Sequence, residues 1–111
     1  MELTFANREL RDLCLNDHLA RKSFSDDVAE KLKARLADFA AVSFVSDLFV
    51  LPGNVRELTG ARRGQMVVNL SDGEQLIFQS GHIKERALAS GEVDWSRIRR
   101  VKILGVENGH E

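Results

Sequence analysis

Three arginines, a lysine and a terminal histidine are the side chains of this sequence best suited to act on a phosphate. Arg56 precedes the glycine-flanked turn Gly60-Ala61-Arg62-Arg63-Gly64, and Lys102 and His110 lie on and after the last apolar stretch. Guanidinium forks match phosphate geometry, and imidazole exchanges a proton near neutral pH, so the set could support phosphodiester cleavage. The same spacing also describes a solvated arginine turn and a frayed terminal histidine. Spacing alone leaves both readings open.

Other chemistries find less support. His18, His82 and His110 have no ligand spacing, and the single cysteine, Cys14, cannot supply a zinc cluster, so no metal is expected. There is no GxSxG elbow, phosphate-binding loop or dinucleotide fingerprint, and no cofactor is expected. Net charge is −1, so any contact with nucleic acid must come from local basic clusters. The run Arg97, Arg99, Arg100, Lys102 reads as a solvated face or a partner-binding edge.

The elements that position these residues follow from periodicity. At 111 residues, 43% hydrophobic and 30% charged, the chain (positions 1–111) has the length and composition of one globular domain. Glu2 to Ala6 alternates as a short strand. Asn7 can cap a helix with Leu10, Leu13 and Cys14 on one face, interrupted at Asn16-Asp17. Ser25 is the N-cap of a stronger helix whose stripe is Val28, Leu32, Leu36, Phe39 and Ala40. A short helix over Ser43–Phe49 stops before Pro52-Gly53-Asn54.

From there the period becomes two. Val55–Leu58, Gln65–Leu70 and Glu74–Phe78 read as strands, the last two joined by Ser71-Asp72-Gly73 as a tight hairpin. His82–Ala89 reads as a helical turn ended by Gly91, Asp94 as the cap of a short turn holding Trp95, and Val101–Val106 as the last strand. Trp95 is expected to plug the core, and Cys14 to be a structural thiol. The sum is an α+β fold: a short N-terminal strand, then two to three helices packed on an antiparallel four-stranded sheet. The N-terminal residues lack the pattern of a secretory signal, and the apolar run Phe39–Pro52 is too short to cross a bilayer. These features predict a cytoplasmic protein that makes no membrane contact.

In order and spacing, Leu58-x-Gly60-x-Arg62-x-Gly64, Leu70-Ser71, Leu76-Ile77-Phe78 and Ile103-Leu104 resemble the RelE/ParE superfamily of type II toxin–antitoxin toxins. Within it, the HigB-like plasmid maintenance killer branch is the most similar. The resemblance spans nearly the whole chain. It implies a ribosome-dependent mRNA endoribonuclease that inhibits translation, with Arg62 binding phosphate and His110 acting in acid–base catalysis. Arg56, Arg63, Gln75 and Lys102 would contact the RNA. The implied partners are mRNA on the ribosome and a helix-turn-helix, HigA-like antitoxin, with operator DNA reached only through that antitoxin.

The chain departs from the family pattern in the same region. The family's Trp-Arg is Glu74-Gln75 here, its Asp-Tyr-His is Asn108-Gly109-His110, and Arg56 stands where His is frequent. These exchanges admit two alternatives: a catalytically weak or inactive homologue serving as an antitoxin-binding regulatory module, or a gyrase-targeting toxin like the ParE branch.

Overall fold

Short polar side chains set the helix boundaries. In the computed structural model, which describes residues 1–82 and 87–109, strand β1 (Glu2–Phe5) leads into helices α1 (Arg8–Leu15), α2 (Asp17–Ser23) and α3 (Asp26–Ala41). The Asn7 side chain accepts from the Leu10 N–H at 2.8 Å, and the Ser25 hydroxyl accepts from Val28 at 3.2 Å. Asn16 ends α1 through its own N–H, donated to Asp12 at 3.0 Å, and starts α2 by accepting from Leu19 at 3.2 Å. One asparagine therefore serves two helix ends, which is why the apolar pattern breaks there without a glycine or proline.

Helix α3 buries Val28, Ala29, Leu32, Leu36 and Phe39, of which Leu32, Leu36 and Phe39 join the core cluster under the sheet. Phe39 meets Phe78 edge-on, with ring centroids 4.8 Å apart and planes at 71°. The expected stripe is found except at its C-terminal end, where Ala40 is exposed; Ala29, near the start of the helix, is buried in addition. The short helix after α3 is a 3-10 segment over Val45–Val50 rather than an α-helix.

Strands β2 (Arg56–Glu57), β3 (Gln65–Asn69), β4 (Glu74–Ser80) and β5 (Arg100–Asn108) form the expected antiparallel set, although β2 is shorter than its alternation suggested. With β1 the sheet has five strands in the order β1-β5-β4-β3-β2. The N-terminal strand joins as a fifth member, parallel to β5, with Leu3 opposite Val101 and Phe5 opposite Ile103. In the β3–β4 hairpin Asp72 and Gly73 both have positive φ, 57° and 77°, and Glu74 N–H donates to Ser71 O at 2.9 Å. This is the two-residue mirror-image turn that an Asp-Gly pair favours.

Asp94 accepts from Ser96 N–H and caps a 3-10 turn, Trp95–Arg97, whose indole is buried as expected. The helical turn expected over His82–Ala89 falls largely on positions 83–86, outside the described residues; beyond them, Ala87 bridges to Val93.

Candidate functional site

Alternation along the strands gives the sheet two faces. Met66, Val68, Leu76, Phe78, Val101 and Ile103 join the cluster beneath the helices. The reverse face carries Arg56 on β2, Gln65, Val67 and Asn69 on β3, and Gln75, Ile77 and Gln79 on β4. Val67 and Ile77 are fully buried outside the helix-side cluster, a small apolar floor ringed by polar side chains.

Strand β5 contributes to this face through an irregularity. Its register against β4 shifts between Ile77 and Phe78, so Gly105 faces Ile77, Ile103 faces Phe78, and Leu104 is the extra residue. Such a bulge reverses the alternation beyond it. Val106 therefore packs toward the core while Glu107 turns to the reverse face, opposite Gln75. Lys102, before the bulge and opposite Gln79, lies on the same face near its other end.

The sequence-derived residues fall into three groups. Arg56 and Gln75 meet: Arg56 Nη1 and Gln75 Nε2 each donate to Asn69 Oδ1 at 3.1 Å. They line a cavity of about 230 Å³ at the hairpin end with Asn69, Leu70, Gly73, Glu74 and Gly109. Arg62 reaches the same row of residues from the turn. Its Nε donates to Gln65 Oε1 at 3.0 Å, and Nη1 and Nη2 donate to the two oxygens of Glu107 at 2.9 and 2.7 Å. The guanidinium thus bridges β3 and β5 across the reverse face.

Arg63 stands apart, paired with Glu92 at 3.5 Å beside a separate opening lined by Glu57, Gly64 and Ser90–Val93. Lys102 shares the sheet face but lies nearer β1, beside Thr4. His110 lies outside the described residues, directly after Gly109, whose N–H is held by Gly73 O at 2.7 Å.

The turn itself is anchored from below. Gly60 and Gly64 have φ of 67° and 94°, enclosing a 3-10 turn over Gly60–Arg62. Gly64 N–H donates to Glu57 Oε2 at 3.3 Å, and the other Glu57 oxygen accepts from Trp95 Nε1 at 2.8 Å. Glu57 therefore ties the arginine turn to a buried tryptophan.

Gln75 and Gly109, where the sequence differs from the RelE/ParE pattern it resembles, lie against each other. A Cβ built on Gly109 would lie 2.5–2.7 Å from the carboxamide atoms of Gln75. Glycine at 109 makes room for the amide that reaches Asn69.

Sequence reasoning missed Gln65, Asn69, Glu57 and Glu107. Gln65 and Asn69 carried a signal, since they alternate with Met66 and Val68. Glu107 carried none, because the bulge reverses its side.

Among the described residues, no group of three His, Cys, Asp or Glu side chains could hold a metal ion, and no helix is long and apolar enough to cross a membrane. Burial pushes the Cys14 thiol up to about 11, well away from this face.

No protein-family model and no curated protein sequence matches the chain. Among solved structures, the whole architecture has a counterpart. The chain shares the fold of a YoeB/ParE toxin. That structure, from Agrobacterium tumefaciens, superimposes with a TM-score of 0.58 at 10% identity, covering 99% of this chain and 100% of the other. The α+β architecture with an N-terminal strand, three helices and a mostly antiparallel sheet is therefore a known toxin fold. At this identity, the likeness is one of fold.

Proposed function

We propose that this chain is the toxin of a type II toxin–antitoxin pair, of the HigB-like kind, and a ribosome-dependent mRNA endoribonuclease acting in the cytoplasm. The supporting observation is the reverse face of the sheet, where Arg62 bridges β3 and β5 beside the Arg56–Asn69–Gln75 group. On a fold shared with a YoeB/ParE toxin, that arrangement suits a single-stranded RNA backbone better than a small substrate.

In this reading a ribose 2′-oxygen attacks the adjacent phosphorus. The new P–O2′ bond forms as P–O5′ breaks, leaving a 2′,3′-cyclic phosphate and a 5′-hydroxyl. Arg62 neutralises the charge gathering on the phosphoryl oxygens, and Arg56 supplies a second guanidinium. His110 exchanges the proton between the attacking and leaving oxygens. Gln75 offers an amide donor in place of a cation, while Arg63 and Lys102 contact flanking phosphates. A near-neutral chain has little long-range attraction for the ribosome, so the local cations carry the association. The partner is a helix-turn-helix, HigA-like antitoxin that covers the site and, with the toxin, occupies operator DNA.

The test is inducible expression with and without a neighbouring antitoxin frame, with transcript ends mapped. Growth arrest with cleavage within translated codons is expected, lowered about a hundredfold or more by Arg62→Ala. Unimpaired growth with intact transcripts refutes the enzyme. A second reading, an inactive regulatory homologue, is favoured by Gln75 and by the carboxylate on the Arg62 fork. A stable, operator-repressing antitoxin complex without cleavage would select it, and DNA damage on expression would point to gyrase instead.

A further inference from the structure

The guanidinium assigned to phosphate is already holding an anion. Arg62 Nη1 and Nη2 grip Oε1 and Oε2 of Glu107 at 2.9 and 2.7 Å, two parallel bonds of the kind an arginine fork makes equally to carboxylate and to phosphate. The pair is distant in sequence and depends on the bulge at Leu104, which turns Glu107 onto the reverse face. The side chains are 44% and 47% exposed, so water and salt screen the attraction. Meanwhile Gln65 Oε1 accepts from Arg62 Nε at 3.0 Å, which keeps one edge of the guanidinium oriented independently of Glu107.

We infer that Glu107 is a resident competitor at the Arg62 site: its carboxylate occupies the position that an RNA phosphate takes, and RNA binds by displacing it from the same fork. This rests on the reading of the sheet face as RNA-binding and adds a control on affinity. The carboxylate, half-exposed near the end of β5, moves into solvent when displaced, while Gln65 retains the fork in place. No bond is made or broken in the exchange. An internal anion of this kind keeps the site neutral toward weak or isolated anions and admits a backbone that offers several phosphates at once.

The test titrates the full chain with a short, non-cleavable 2′-O-methyl RNA oligonucleotide, following the amide resonances of Gly64 and Gln65, at several salt concentrations. Glu107→Gln should bind about fivefold more tightly, as expected for loss of an exposed competing ion pair. Its log K against log salt should steepen by about 0.7, because in the parent the displaced Glu107 carboxylate takes back a cation that offsets the one released by the phosphate on Arg62. In the Arg62→Gln background the same exchange at 107 should change affinity by less than about twofold, because the contested fork is gone. Glu107→Ala repeats the test without an amide that could re-bond the fork.

Equal or weaker binding by both 107 variants overturns the inference, since Glu107 would then be positioning Arg62 rather than competing for it. So does an equal gain in the Arg62→Gln background, which would indicate general charge repulsion. No measurable binding by any variant up to millimolar oligonucleotide overturns it as well. Expression toxicity, scored in the same variants, separates this inference from the ribonuclease reading. Tighter binding without toxicity refutes only the enzyme; toxicity without the gain refutes only the competition.

Discussion

Glu57 connects the stability of the fold to the placement of Arg62, and its replacement by alanine has two separable consequences. Its carboxylate accepts from the Trp95 indole at 2.8 Å and from Gly64 N–H at 3.3 Å. Trp95 is 9% exposed, so its N–H has little access to water once the acceptor is gone. A hydrogen bond to a charged acceptor contributes about 1.5–3 kcal/mol, and the longer Gly64 bond adds less. Glu57→Ala should therefore cost about 2–3 kcal/mol, which lowers the midpoint of thermal unfolding by roughly 10 °C in a chain of this size. Glu57→Gln keeps one acceptor oxygen and should lose about 1 kcal/mol. Trp95 is the chain's only tryptophan, so its emission reports the site directly in urea titrations. Its maximum should shift to the red in the alanine variant, and Gly64 N–H should exchange faster. A stability within about 0.5 kcal/mol of the parent, with unchanged emission, would refute the anchoring role.

Phe39→Ala removes a fully buried ring stacked edge-on against Phe78, and should cost about 3–5 kcal/mol in urea unfolding. A loss under about 1 kcal/mol would mean that α3 does not dock as described. Cys14, with its thiol pushed up to about 11 by burial, should react with iodoacetamide at pH 8 about a hundredfold more slowly than an unshifted cysteine. The rate should climb tenfold per pH unit, and a plateau below pH 9 would contradict the burial. Because the folded value is raised, the stability linked to this thiol is complete below the unfolded value and is lost as pH rises toward 11. Asp17 shifts the other way, held below the usual carboxylate range chiefly by its hydrogen bond from Arg21. Its contribution is present above the unfolded carboxylate value and lost as pH falls through the lowered one. An NMR titration should show the Asp17 value rise in Arg21→Ala, and no change would contradict the cause.

What the sequence disclosed and what it hid divide along a physical line. Caps and turns are local, so Asn7, Ser25, Asp72-Gly73 and Asp94 could be read from a few neighbouring residues, and each does what its chemistry suggests. The α3 stripe was legible because one face is buried against one partner. Pairing between β1 and β5 was not, since it joins residues nearly the whole chain apart and neither strand encodes its neighbour. The arginines of the turn announced themselves, but their partners did not. Glu107 is an odd-numbered position in register with Val101 and Ile103, and simple alternation buries it; only the extra residue at Leu104 turns it outward. Asn69, shared by Arg56 and Gln75, becomes visible only when three strands lie side by side.

That shared asparagine changes how residues 75 and 109, where the sequence differs from the RelE/ParE pattern it resembles, are understood. Taken singly, and on the proposed reading, Gln75 where the RelE/ParE pattern has Arg and Gly109 where it has Tyr are two losses from a phosphate site. In the folded chain the two positions are in contact, because the Gln75 carboxamide occupies space that a Cβ on residue 109 would enter. The amide gains an acceptor that Arg56 also uses, so the remaining guanidinium on this side is held in place by a neutral partner. The cationic group at the opposite edge, Arg62, is held by a charged one. Among the described residues no carboxylate pairs with Arg56, so on the RNA-binding reading a phosphate would meet an already oriented Arg56 and an Arg62 that must first release Glu107. The two arginines are unequal by construction. If RNA binds here, Arg56 makes the first contact and Arg62 the one that depends on how many phosphates arrive with it.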